Sequence, residues 1–470
     1  MNILELKKAQ KYANKKSRAN PSIELGAVVD EDRQEIDFSR LVSYPTSRKL
    51  QVYPNGTNIM RVSVPCGVDG YIQYTVEPDA IDGLIRLRKG GVQGVLATPE
   101  LLGAKNYDSK TGSWVTSSPP TYYTTEVNAT FTTIFPGTRC DFVFRADNRG
   151  GVWRFVVDGD EGNYVDISTY SETTVTPKVS TVFSGLSDGN HFLVATFIGE
   201  ESDKTYTEPA RGWVWYDEAH ETNRVIRYYT ELGVVDEIYA DVSNKEFALQ
   251  CRPAESVEDT QWVPSHGVSG VTEIIEQTIY IDGTPNNVWD YRVMSADNVT
   301  VEQVCKGLHP SEPANELFVY TLVTSFSKDG VSIRGLVDFK RDTYIGQGYG
   351  CMLPVVNGFA KNLATGKGER IDTTLTTDNT YLVDVAQSVA FFDPTKDYVT
   401  TMTIKNMTNS VRLGLGGTPN NPMRVNHRAD LQKFYALAYS QHTVFAGTTF
   451  AFGANFHTNQ VENANSKLPQ

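Results

Sequence analysis

Cysteine is scarce and scattered. The 470 residues hold five, Cys66, Cys140, Cys251, Cys305 and Cys351, and no two form a C-x-x-C pair. That spacing argues against zinc and dithiol redox motifs, and the odd number points to free thiols in a chain made in a reducing cytoplasm. Long apolar runs are missing too: no stretch of about 18 apolar residues occurs, so no membrane-spanning helix is expected. The opening MNILELKKAQKYANKKSRANP lacks an apolar core with a small-residue cleavage site behind it, so it does not read as a secretory leader. The N-x-S/T triplets at Asn55, Asn128, Asn298 and Asn406 then read as chance matches. Positive charge is in deficit: 43 Lys and Arg against 56 Asp and Glu give a net charge of -13, which disfavours a nucleic-acid partner. There is no series of βα units to present a nucleophile elbow, which argues against serine-hydrolase chemistry. No fixed repeat stands out, so a propeller or solenoid is not expected.

What is present is the vocabulary of strands. Forty per cent of the chain is hydrophobic, enough for real cores, and it carries 24 Tyr and 21 Phe. KLQVYP (49–54), MRVSVP (60–65) and YIQYTV (71–76) are separated by Asn-Gly and Gly-Val-Asp-Gly turns, which is hairpin spacing. In 122–137, Val127, Ala129, Phe131, Thr133 and Phe135 alternate with other residues, as one buried face of a strand requires. Two alternating runs flank Lys328-Asp329-Gly330, a strong hairpin signal. The expected fold is all-β, with antiparallel β-sandwich (jelly-roll-like) domains behind a short N-terminal α-helix. That helix is expected over residues 2–18, with Ile3, Leu6, Ala9 and Ala13 on an apolar stripe and lysines around it. A short basic helix has little to bury alone, so those four residues are candidates for docking on a larger assembly. The expected organisation is helix and connector (1–48), first sandwich (49–235), second sandwich (236–457), with a charged junction near 222–245, and a polar tail (458–470) that frays.

LSDGNHFLVATFIGE (186–200) runs a turn and Gly-x-His into an alternating strand. It resembles the closing strands of carbohydrate-binding-module-like jelly rolls in phage tail proteins. WVPSHG (262–267), GQGYGCMLP (346–354) and the stretch from SVRLGLGG to TTFAF (410–452) are similar to C-terminal β-domains of bacteriophage tail fibre, tailspike and baseplate receptor-binding proteins. The resemblance implies a virion protein of the tail or baseplate, made in the host cytoplasm and homotrimeric. It would touch a host surface glycan and other tail or baseplate proteins, with no cofactor and no metal.

Sugar binding needs aromatic faces and polar groups at turns. Trp114, Trp262, Trp289 and Tyr349 lie in or near turn sequences and are candidates, with His266 beside Trp262. Trp153, Trp213 and Trp215 sit within strands and read as core. His266 has a plainer reading, as a turn histidine whose ring caps backbone groups. A polysaccharide lyase needs cations to neutralise a uronate and a His or Tyr base, and Arg424, His427, Arg428, Lys433 and Tyr435 offer those types. Asp158, Asp160 and Glu161 share one turn that could be read as a calcium loop, but a hairpin turn explains them better. The readings are therefore adhesion to a host polysaccharide, its degradation by a lyase or glycosidase, or a purely architectural virion role.

Overall fold

The computed structural model describes residues 28–30, 35–38, 47–56, 58–219, 224–241, 245–286, 293–374, 379–383, 386–408, 423–428, 430–461 and 468. The expected N-terminal helix, with Ile3, Leu6, Ala9 and Ala13, lies outside these residues, and so does Trp289. No α-helix occurs among the described residues, and the strand ladders that build the body are antiparallel.

Two sheets face each other across the larger core. One has 14 strands, the other ten. The ten-stranded sheet shows how simple alternation builds it. In Phe318–Ser327 every second residue is buried, and Phe318, Tyr320, Leu322 and Phe326 enter the core. The partner Gly330–Phe339 pairs with it from Ser327↔Gly330 to Phe318↔Phe339 around the expected turn. The opposite sheet contributes Val62, Val64, Tyr74 and Tyr239 to the same core. Tyr239 crosses the gap: its buried hydroxyl lies 2.6 Å from Thr400 Oγ1 and 2.7 Å from Thr458 Oγ1 of the facing sheet. Left unpaired, such a group would cost about 1–3 kcal/mol.

A second, aromatic core is built from residues between 131 and 228, including Phe131, Phe142, Trp153, Phe155 and Phe197. Trp153 and Trp213 are fully buried. A five-stranded sheet closes one side. The strand expected over 122–137 is two strands, Thr121–Thr124 and Thr130–Gly137. Asn128 takes a positive φ of 71° in the turn between them, and Val127 is 53% exposed rather than buried. Ala129, Phe131, Thr133 and Phe135 are buried as the alternation requires.

Two long strands join the two cores. Ile85–Lys105 pairs with Ile226–Tyr239 from Gly90↔Tyr239 to Lys105↔Ile226 through several bulges. Position 235, the expected boundary, lies within the strand Ile226–Tyr239. The larger core draws on residues 50–87 and again on 238–456, with the aromatic core placed between them in sequence. Single residues of the connector and the tail also dock. Phe38, Val461 and Leu468 are buried in a small cluster with Ala390 and Phe392, so Leu468 is packed where fraying was expected.

Candidate functional site

The site lies on the outer face of the 14-stranded sheet, behind the larger core. Five strands lie side by side there: Gln261–Val263, Phe247–Pro253, Thr343–Val356, Leu431–Val444 and Met423–His427. The key strand is Thr343–Val356. Ile345 and Leu353 point into the core, yet Tyr349 belongs to a separate cluster on the other face, with Ala248, Met352 and Leu437. Strict alternation would send Tyr349 inward with Ile345. A register irregularity near Gly346 and a bulge at Gly350–Cys351 flip it out and then restore the pattern. Cys351 takes a left-handed φ of 59°, an uncommon state for a residue with a Cβ. Two backbone bonds hold the bulge: Cys351 N donates to Glu246 O at 2.6 Å and Met352 N to Lys245 O at 2.8 Å.

These distortions create a pocket of about 400 Å³. Its wall is formed by Trp262, His266, Gln347, Tyr349, Met352, Asn426, Arg428, Lys433 and Tyr435, with Ala248 and Leu431. The Trp262 and Tyr349 rings stand 6.0 Å apart and only 14° from parallel. Ala248 pairs with Tyr349, while Trp262 pairs with the next but one residue, Gln250. The small alanine leaves room for the two rings to face each other. Tyr435 tilts against Tyr349 at 4.8 Å, and the Lys433 ammonium lies 5.1 Å over the Tyr435 ring. Tyr349 Oη donates to Gln347 Oε1 at 3.2 Å.

The His266 turn is anchored from below. Ser265 N donates to Asp82 Oδ2 at 3.2 Å, and that carboxylate is ion-paired with buried Arg86. Ser265 Oγ donates to Val268 O at 2.6 Å and accepts from Gly267 N at 3.1 Å. The capping expected of the imidazole is thus done by Ser265. The imidazole instead sets its ring edge-on to Trp262 at 4.8 Å. Desolvation, then the positive charges of Lys433 and Arg86, lower its pKa to about 4, so it is neutral at pH 7. Lys433 is 8% exposed, and its pKa falls to about 8 through burial first and the Arg428 charge second, against the pull of Glu246. Among the described residues, no Asp or Glu lines the pocket.

The structure brings together residues that the sequence placed in two separate groups. Trp262, His266 and Tyr349 share one pocket with Arg428, Lys433 and Tyr435. Gln347 and Asn426 complete it and carry no local sequence signal; only their position on the outward face makes them lining residues. His427 leaves the group. Like Val425 it faces the core side of its strand, is 3% exposed, and does not line the pocket. Arg424 lies in the same strand, Met423–His427. Trp114 is on the other core. It stacks on Trp153 at 5.8 Å and donates Nε1–H to Thr111 O at 2.8 Å. Asp158 and Asp160 sit in a hairpin turn. Asp158 Oδ2 lies 2.6 Å from His191 Nδ1, and Asp160 Oδ1 accepts from Gly162 N at 3.2 Å.

No family model and no curated protein matches the sequence. Among solved structures, a two-domain esterase active on acetylated mannans, co-crystallised with mannopentaose, aligns at 10% identity over 29% of this chain and 36% of that one, with a TM-score of 0.19. The galactosidase domain of alpha-galactosidase-sucrose kinase aligns at 10% identity over 47% of this chain and 30% of that one, with a TM-score of 0.28. The alignments span about a third of each of those proteins, and likenesses this slight carry no argument about function.

Proposed function

We propose that this chain is an adhesive protein of a bacteriophage tail or baseplate, and that the pocket on its 14-stranded sheet grips a host surface glycan. One observation carries the binding part of the reading. Two near-parallel aromatic rings, a third tilted against them, two amides and two cations converge on about 400 Å³. A pyranose presents an apolar face and a rim of hydroxyls, and this arrangement offers both kinds of partner. The placement on a phage particle, as a homotrimer bound to other tail or baseplate proteins through its N-terminal segment, rests on the sequence resemblance. Multiple copies would turn weak single-site contacts into avidity.

A second reading is favoured by one feature of the same pocket. Tyr435, His266 and two cations, with no carboxylate among the described lining residues, are the residue types of a polysaccharide lyase, whereas glycosidases usually need paired carboxylates.

One experiment separates these readings. Purified bacterial surface polysaccharide is mixed with the wild-type protein and with Trp262→Ala, and both retention and chain length are followed. Adhesion predicts retention by the wild type, at least tenfold weaker retention by the variant, and polymer of unchanged length. Shortened chains would replace adhesion by catalysis. Equal retention by both proteins would remove the pocket from the function.

A further inference from the structure

The charge lining the pocket runs against the charge of the chain. The protein carries a net charge of -13, yet the pocket wall holds Arg428 and Lys433 and, among the described residues, no carboxylate. The cations differ in kind. Arg428 is exposed at the pocket rim, in the turn between Met423–His427 and Leu431–Val444, and no carboxylate pairs with it among the described residues. Its backbone is fixed by Arg428 N donating to Leu431 O at 2.8 Å and by Asn357 Nδ2 donating to its carbonyl. Lys433 lies deeper, packed on Tyr435. The nearest acidic influence on it is Glu246, which is 4% exposed, does not line the wall, and also faces buried Lys245. Arg86 is ion-paired with Asp82 and Asp79, and buried Lys245 is offset by Glu246 and Asp241, so the positive character of the wall itself rests on Arg428 and Lys433, with exposed Asp430 close by in sequence.

A cation can donate to a neutral hydroxyl, but a hydroxyl offsets the cost of desolvating exposed Arg428 less well than an arriving carboxylate does. We propose that the pocket is selective for an acidic saccharide, whose ring lies against Trp262 and Tyr349 while its carboxylate meets Arg428 and Lys433. This rests on the reading of the pocket as a glycan site and names the class of glycan. Gln347 and Asn426 are placed to meet hydroxyls, and neutral His266 can act as donor or acceptor there.

The test uses the full-length protein and matched ligands. Oligogalacturonate, oligoglucuronate and oligomannuronate are titrated calorimetrically, each beside its carboxyl-reduced form, which keeps the ring and linkage and loses only the charge. Selectivity predicts that at least one acid form binds tenfold or more tighter than its reduced partner, and that added salt weakens it. Arg428→Gln, a surface change that leaves the fold intact, should bring the acid and reduced forms to within about threefold of each other. Lys433→Met should do the same, with circular dichroism checking its fold. Reduced forms that bind as well as the acids would overturn the acidic class and leave the glycan site standing. Sodium acetate displacing the acid sugar at equal concentration would show an anion site without sugar selectivity, and would overturn the saccharide. Silence from every acid and every reduced form would overturn both the class and the glycan reading.

Discussion

His457 is 7% exposed on strand Thr449–Gln460, and burial lowers its pKa to about 4 although the Asp329 charge pulls the other way. In the unfolded chain a histidine titrates near 6.5. Below that pH the unfolded state takes up a proton that the folded state refuses, so stability is full above about pH 6.5 and is lost as pH falls toward 4. The span corresponds to about 3 kcal/mol at most. Carboxylates titrate in the lower part of the same window, so the useful comparison is between about pH 7.5 and 5.5. Urea midpoints measured there should fall less in His457→Gln than in the wild type; equal slopes would mean that His457 contributes nothing. His266 acts with the same sign but is exposed, so its share is smaller. The thiols stand aside from such chemistry: all five are free and buried, and burial pushes Cys66, Cys140 and Cys305 up to about 12.

Glycine and aromatic side chains meet across the ladders of the ten-stranded sheet. Gly335 pairs with Phe452 and Gly307 with Phe318, and in each pair the ring lies over the glycine where a Cβ would stand. Gly335→Val would drive Phe452 off its position in the core, at a cost of about 1–3 kcal/mol or more. Thermal unfolding should show the loss, while Leu336→Val one residue along, on the exposed side, should be nearly silent. Pairings of this kind also mark what local pattern can convey. The hairpin at Lys328-Asp329-Gly330 and the alternation of Ala129, Phe131, Thr133 and Phe135 were legible because both ends of the information lie within a few residues. Tyr349 lies in a turn-like sequence, yet it is a strand residue turned outward by neighbouring irregularities, and no two-residue period encodes those. Its meeting with Trp262 and Tyr435 needs contacts across more than 80 residues of chain, which spacing alone does not reveal. Ile85–Lys105 carries no plain strand signal, because its run KGGVQGVLATPELLGAK is rich in glycine and bears no clean alternation.

The two cores are joined by one ribbon, the paired strands Ile85–Lys105 and Ile226–Tyr239. The larger core takes no buried residue between Leu87 and Ile238, and the aromatic core takes none outside 131–228. Among the described residues, contacts beside the ribbon ladder include buried Tyr53, which donates to Asp188, and Arg61, which pairs with Glu100 of the ribbon. Within the ribbon, Gln93 pairs directly with Val234. A two-residue Asn-Gly turn is suited to closing such an antiparallel pair, because its backbone twist matches that of the strands. Replacing residues 94–233 with Asn-Gly should therefore leave a protein whose larger core is complete. It should be soluble, show a strand-rich circular dichroism spectrum and unfold in a single cooperative step. Its pocket, drawn from residues 248–435, should bind the same ligand as the full chain within about threefold. A shortened protein that aggregates or melts without cooperativity would show that the aromatic body props up the rest. A protein that folds but loses binding would show that the aromatic body shapes the site from a distance, across a ribbon that the contacts describe as the main physical link.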